Sequence, residues 1–390
     1  MLTPTNEVLN PGRSLMNICI VTHCVIKGDG QGRVNYEVVC EALRQGHSVT
    51  LVASAISPEL EQHRQIAWVP ILVKQVPTEL LRNLIFSLKS AAWLRHHAPE
   101  FDVIKVNGAI TSVQSDLNAV HFVHSTWGRS PLHVWHQKRD LYGAYQWLYT
   151  ALNAYWEKIA FERTKLTIAV SEKIKQEILE LGIPVERIEV IANGVDLEEF
   201  TPARVDRREL GLPEDVPLAL FVGDIRISRK NLDTVLQALV NVPQLHLAIA
   251  GAPDGRNFYP QLAQTLGVSD RVHFLGFRSD VADLMRSADL FVFPSRYEPF
   301  GLVLLEAMAC QLPVITARTA GGSDLVTPEC GFVLDDPDDV GALSLAMMHL
   351  TQDPAARHRM GKAARSIAER YSWTDMARHY LEIFKEVSKC

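Results

Sequence analysis

Residues 287–326, SADLFVFPSRYEPFGLVLLEAMACQLPVITARTAGGSDLV, alternate between runs that must be buried and short polar turns. Residues 290–294 read as a buried strand and 295–299 as a tight loop. Residues 300–310 read as a helix, 313–316 as a second buried strand, and Gly321-Gly322 as a turn. A strand that feeds a helix N-terminus through a tight loop gathers backbone N–H groups at the positive end of the helix dipole. Such a place suits a phosphate or another anion.

Two carboxylates frame that helix start, Glu298 before it and Glu306 inside it. Eight residues at 1.5 Å rise separate them by roughly 12 Å along the axis. Paired glycosidase carboxylates stand within roughly 5–10 Å, so these two are too far apart to attack one bond together. They suit two hydrogen-bond acceptors that grip hydroxyl groups on either side of a diphosphate.

The combination Pro294-Ser295, Glu298-Pro299-Phe300-Gly301, Glu306-Ala307 and Gly321-Gly322 resembles the donor-site signature of the retaining glycosyltransferases of family four. The resemblance implies a GT-B architecture: two facing, doubly wound, Rossmann-like α/β domains with the active site between them and a C-terminal helix crossing back to the first domain. It implies that Glu298 contacts hydroxyls of the transferred sugar and Glu306 the ribose. The backbone of Phe300, Gly301 and Leu302 would face the diphosphate.

The chain has 390 residues, 47% hydrophobic and 22% charged, which fits a globular protein of two domains. A net charge of −6 argues against a general nucleic-acid binder. Through Asp196 the chain is balanced, and the later half carries the acidic excess. Six cysteines without a CxxC pair or His spacing point to a reduced, cytoplasmic setting. Residues 1–14 read as a flexible start without a signal-peptide core, and no apolar run spans a membrane.

In the first domain, expected over residues 15–195, residues 17–23 form a strand, Gly28, Gly30 and Gly32 a flexible loop, and 34–43 a helix. GDGQG does not match G-x-G-x-x-G and no acid ends the second strand, so a dinucleotide is not expected. Gly30 and Gly32 are either a plain βα loop or, as the resemblance implies, the close approach to the donor. Residues 78–96 read as a helix with a core face of Leu80, Leu81, Leu84, Ile85, Leu88 and Ala92. Its basic side chains are either solvated or in contact with an anionic membrane surface. Residues 118–124 read as a strand that ends at His124. An offset of three sends His121 and His124 to opposite faces, His124 toward the ligand crevice and His121 into the core. The resemblance implies a histidine beside the donor sugar at this place. The Trp- and Tyr-rich residues 132–165 read as a helix used for packing or for an acceptor groove.

Asn193-Gly194-Val195-Asp196 is a turn that resembles the family's domain junction, and a second α/β series follows over 196–370. There Gly223 allows a turn after a strand, and Arg226, Arg229 and Lys230 cluster at a helix start capped by Ser228 or Asn231. Cations at the positive end of a helix imply an anion. The family pattern has Gly-Arg and a later lysine. Here Asp224 stands where that arginine is usual, Lys230 matches the lysine, and Arg226 is the expected substitute, with a solvated charge as the alternative. Gly276-Phe277 fall where the family's chains contact the base. The acid run Asp335, Asp336, Asp338 and Asp339 reads as a solvated turn, and no metal ligand set is expected. Residues 340–389 read as three helices, the last of them (371–390) crossing back.

These readings describe transfer of a hexose-type sugar from a nucleotide-diphosphate donor, UDP- or GDP-linked, to a hydroxyl of a saccharide, lipid-linked or small-molecule acceptor. The expected donor and catalytic set is His124, Arg226, Lys230 and Glu298 with Gly223, Gly276, Phe277 and the residues named above. No cofactor or nucleic-acid partner is expected, and peripheral membrane contact stays open. The rival readings are a catalytically idle sugar-nucleotide-binding scaffold and a phosphorylase of the same architecture.

Overall fold

Two all-parallel sheets carry the chain in the computed structural model, which describes residues 15–388 except 74, 254 and 256. The flexible start expected over 1–14, and Cys390, lie outside the described residues. The first sheet holds β1 (Asn17–Val25), β2 (Ser48–Ile56), β3 (Ile66–Pro70), β4 (Val103–Asn107), β5 (Leu117–Val120), β6 (Leu166–Ala169) and β7 (Ile188–Val190), in the order β3-β2-β1-β4-β5-β6-β7. The second holds β8 (Leu218–Val222), β9 (His246–Ala250), β10 (Val272–Gly276), β11 (Leu290–Phe293), β12 (Val314–Ala317) and β13 (Gly331–Leu334), ordered β10-β9-β8-β11-β12-β13. Helices cover both faces, so the central strands are continuous apolar runs. LALFV in β8 and LFVF in β11 are buried throughout.

The strand order reverses between β1 and β4 in one sheet and between β8 and β11 in the other. Ligands bind beyond the carboxyl ends of strands at such switch points. The loops after β1, β8 and β11 meet there across the interdomain cleft. The fold is therefore the pair of facing Rossmann-like domains that the sequence led us to expect.

The last helix, Trp373–Val387, returns to the first domain and buries Trp373, Met376, Tyr380, Leu381 and Phe384 in the same core as Ile18, Val34 and Val38. The chain crosses between the domains at two adjacent places. Val195 N–H donates to Tyr371 O (2.9 Å) and Trp373 N–H to Val195 O (3.4 Å). A Cβ on Gly194 would stand 2.4 Å from Trp373 N, so this crossing admits glycine alone.

Several elements differ from expectation, each for a local reason. Asp29 caps the first helix, accepting from Gly32 N–H at 2.6 Å, so the helix runs Gly30–Arg44 and takes in Gly30 and Gly32, two of the three glycines assigned to the loop. The helix expected from Phe300 starts at Leu302, because Gly301 is left-handed at φ +92°. The helix Glu79–His97 buries Phe86, Ser90, Ala91 and Leu94 and leaves Leu81, Leu84 and Leu88 exposed, which reverses the expected core face. The aromatic segment splits into Val134–Gln137 and Leu141–Arg163.

Candidate active site

The loop after β11 is held on three sides before any side chain reaches the cleft. Gly321 N–H donates to Glu298 O (2.8 Å) and Gly322 N–H to Phe300 O (2.7 Å). A Cβ on Gly321 would fall 1.9 Å from Pro299 O, so the glycine pair exists to let the two loops touch. From the first domain, Ser171 Oγ caps the helix Glu172–Leu179 and also donates to Pro299 O at 2.7 Å. Tyr297 reaches the same helix, donating its hydroxyl to Glu177 Oε2 at 3.0 Å beneath Lys173, whose ammonium lies 3.7 Å from the ring centre.

The loop after β8 adds the cations. Asn231, left-handed at φ +66°, does not cap with its side chain. It donates instead to Pro294 O (2.9 Å) and Pro337 O (2.7 Å), fixing Lys230 against β11. Lys230 Nζ then stands 2.5 Å and Arg229 Nη1 3.2 Å from Glu298 Oε2. The sequence pointed to Arg226 for this place, and the geometry corrects it. Arg226 is exposed and folds back on Asp224 through two bonds of 2.8 and 2.7 Å. The aspartate that replaces the usual arginine thus neutralises Arg226, and Arg229 supplies the second cation.

A cavity of about 300 Å³ joins these groups to the first domain, lined by Gly30, Gln31, His121, Lys230, Glu298 and residues 299–303. Phe300, Gly301 and Leu302 therefore face it. The glycine cap leaves the first N–H groups of the helix Leu302–Ala309 without a side-chain acceptor. Gly30 also faces it, 3.6 Å from Leu302 Cδ1 if a Cβ were present. Gly32 is buried under the first turn and does not line this cavity.

Both histidines line the cleft, in place of the single one expected: His121 and His124 share the cavity that adjoins this one. β5 ends at Val120, so residues 121–124 are not extended and the two-faced offset does not apply. His121, not His124, lines the cavity that holds Lys230 and Glu298. Burial and the neighbouring Lys105 push its imidazole down to about 3, and its Nε2 is buried without a hydrogen-bond partner. It is therefore a neutral ring with an unused polar atom. His124 opens the short helix His124–Arg129, where Glu157 holds both its Nδ1 (2.5 Å) and its peptide N–H (2.8 Å). Lys105 was not singled out in the sequence because it sits inside β4, among apolar residues. It is buried, donates to Asn35 Oδ1 at 2.6 Å, and is pushed by desolvation down to about 7.

Glu306 is half-buried on the helix Leu302–Ala309, and no hydrogen bond to its carboxylate is made among the described residues. Burial, helped by Glu199 and opposed by Arg33, pushes its carboxyl up to about 7. Gly223, Asp224, Arg226, Gly251, Phe277 and Arg278 line a separate cavity of about 280 Å³ at the outer end of the second sheet. A Cβ on Gly251 would meet Gly223 O at 1.9 Å. Gly276 turns the chain there at φ +69°, and Phe277 is 79% exposed. The acid run is occupied by protein groups: Asp335 pairs with Arg318, Asp338 with Arg296, and Asp339 caps a helix. Among the described residues no group of three His, Cys, Asp or Glu side chains could hold a metal, and no helix is long and apolar enough to cross a membrane.

Comparison with known proteins agrees with this geometry. Residues 203–367 match the family model "Glycosyl transferases group 1", and residues 28–199 match "Glycosyltransferase Family 4". A D-inositol 3-phosphate glycosyltransferase of Xylanimonas cellulosilytica is 34% identical over 248 residues, which are 60% of this chain and 59% of that protein. The chain thus matches about three fifths of that relative's length. Among solved structures, sucrose-phosphate synthase from Thermosynechococcus elongatus superposes with TM-score 0.77 at 23% identity, covering 95% of this chain and 98% of that one. Anabaena HepE in complex with UDP and glucose superposes with TM-score 0.70 at 22% identity, covering 95% and 100%. With two family models matched along nearly its whole length and the GT-B fold of its structural neighbours, the chain belongs to the group 1, family 4 glycosyltransferases.

Proposed function

We propose that the protein transfers a hexose-type sugar, with retention at the anomeric carbon, from a UDP- or GDP-linked donor to a hydroxyl of an acceptor bound against the first domain. The observation that carries this reading is the meeting of Arg229, Lys230 and the uncapped helix start at Leu302 around Glu298, in a cavity shared with His121. The donor diphosphate lies at that helix start. Its base extends toward Gly276 and Phe277, its ribose toward Glu306, and its sugar toward Glu298 and His121. HepE, whose complexes contain UDP and glucose, supports a uridine donor.

In the reaction the bond from the anomeric carbon to the diphosphate oxygen breaks as the acceptor oxygen bonds to that carbon. The acceptor proton passes to the departing phosphate oxygen. The difficulty is charge separation. Lys230, Arg229 and the helix dipole stabilise the growing negative charge, a kind of contribution that is typically the largest in such reactions. That role requires no bound metal. His121 stays neutral and offers a hydrogen bond to the sugar rather than a charge that would oppose the cationic carbon.

Incubation with UDP- and GDP-hexoses, first without acceptor, distinguishes an enzyme from an idle binder by release of the nucleoside diphosphate. The anomeric configuration of the product, read by NMR, tests retention, and an inverted product would overturn that part of the reading.

A further inference from the structure

Beside the donor cavity stand two more, each sharing lining residues with the one before. The donor cavity shares Gln31 and His121 with a second cavity of about 270 Å³, whose lining is rich in hydrogen-bonding groups such as Glu79, Asn83, Asn107, Tyr149, Asn153 and Glu157. That one shares Asn83 and Ala109 with a third, about 310 Å³, whose lining is mixed but gains an apolar side from Leu84, Leu88, Trp156, Ile159 and Ala160. The same two helices build both of the latter. On Leu141–Arg163, Tyr149, Asn153 and Glu157 recur every four residues along the polar cavity, while Trp156, Ile159 and Ala160 face the third. On Glu79–His97, Glu79 and Asn83 serve the polar cavity, and Leu84 and Leu88 the third. Leu88 and Tyr155 are 61% and 64% exposed, so the third cavity opens to the surface through side chains with no protein partner to cover them.

We propose that the acceptor is amphiphilic: its hydroxyl-bearing part occupies the polar cavity next to His121, and an apolar tail runs past Asn83 into the cavity between helices Glu79–His97 and Leu141–Arg163. This rests on the glycosyltransferase reading above and narrows its acceptor class. The continuity of the cavities selects the occupant. A tail that left the polar cavity at Asn83 would enter a slot whose Thr111, Ser115 and Asn118 are already bonded to Val113, Thr164 and Gly108. Its Leu84, Leu88, Trp156, Ile159 and Ala160 present carbon, a better place for alkyl carbons than for a second sugar. Burial of a few methylenes accounts for the outward leucines, which the helix periodicity alone would have turned into the core.

The test compares n-octyl β-D-glucoside, kept below its micelle concentration, with methyl β-D-glucoside as probes of the acceptor side, by calorimetry with UDP present. Octyl glucoside should bind at least about tenfold tighter, the scale expected for burying two or more methylenes. Ala160→Phe, which fills the third cavity, should abolish that gain. Leu88→Gln, a surface change that leaves the core alone, should reduce it, and thermal melting reports whether either variant is folded. Equal affinities for the two glucosides, or a gain that survives Ala160→Phe, would overturn the proposal. A surviving gain together with flotation on phosphatidylglycerol vesicles would instead make this face a membrane contact. Sugar-nucleotide hydrolysis is followed in parallel. Hydrolysis without an octyl gain sinks the amphiphilic acceptor alone, whereas failure to bind UDP or hydrolyse any donor sinks the glycosyltransferase reading and this inference with it.

Discussion

The two walls of the cleft are built on different principles. The wall from the second domain is charged: Lys230 and Arg229 both meet Glu298 within 3.2 Å, which leaves one positive charge in excess, and Arg229 and the adjoining Asn231 are held by loop-to-loop hydrogen bonds. The wall from the first domain carries no cation in its polar cavity and is only partly satisfied. Of the residues lining its cavities, His121 Nε2 and Asn107 Nδ2 are buried without hydrogen-bond partners among the described residues. A charged wall suits one invariant group, such as the diphosphate proposed for it, by electrostatics. Unfilled neutral donors and acceptors recognise hydroxyls, whose number and direction vary from one acceptor to another. A leftover buried polar atom costs on the order of 1–3 kcal/mol, so the first domain holds stability in reserve until a ligand satisfies it.

That contrast can be broken by experiment. Lys230→Ala should have the largest effect, lowering kcat by roughly 10²–10³, the cost of removing a preorganised charge at a leaving group. A loss confined to KM would mean that Lys230 binds the ground state and transition state alike. His121→Ala should lower kcat about 10²-fold while leaving UDP affinity within twofold, and His124→Ala should do less, since His124 is committed to Glu157. The reverse ranking in single-turnover assays would restore His124 to the reacting centre.

Glu306→Gln sharpens the comparison through stability. The folded carboxyl titrates near 7, above its ordinary 4.5, so the folded state holds a proton that the unfolded chain releases between those values. Stability therefore falls as pH rises across that window, by on the order of 2–3 kcal/mol at most. The glutamine variant should melt higher than wild type above pH 7 and like it below pH 4.5, and bind UDP more weakly. A pH-independent difference in melting would rule out the buried proton. The smallest effect belongs to Arg226→Ala, expected to change kcat less than about twofold because an exposed pair with Asp224 is worth little. Arg229→Ala should cost clearly more, and equal costs for the two arginines would undo the reassignment.

How much of this was legible depended on whether neighbours in space were neighbours in sequence. The donor motif was readable because Glu298, Gly301, Glu306 and the Gly321-Gly322 pair fall within one strand-helix-strand unit, and its loop must satisfy backbone geometry that few residues permit. The return of the last helix was expected from the family resemblance alone, since no local pattern names the core that it packs on. The arginine was misplaced because spacing from Gly223 says nothing of Asp224 capturing Arg226 two residues on. The opposite faces given to His121 and His124 failed because a period-two argument was carried past the end of β5, and both line the cleft. Lys105 and Tyr297 were missed for a related reason. A lysine inside an apolar strand and a tyrosine in a polar loop acquire meaning from Asn35 and Glu177, which are 70 and 120 residues away. The outward face of the helix Glu79–His97 was misread because its leucines serve a cavity rather than the core.

The paired crossings at Val195 and Trp373 give the cleft a pivot. The polypeptide passes between the halves at two spots stitched together by backbone, with Gly194 wedged against Trp373, so neither crossing can slide past the other. Any widening of the groove is thus a swing about that seam, as a book opens on its spine. A methyl group at position 194 would claim space already taken by the Trp373 backbone and force the two crossings apart, so the spine would loosen while every word on the pages stayed as written.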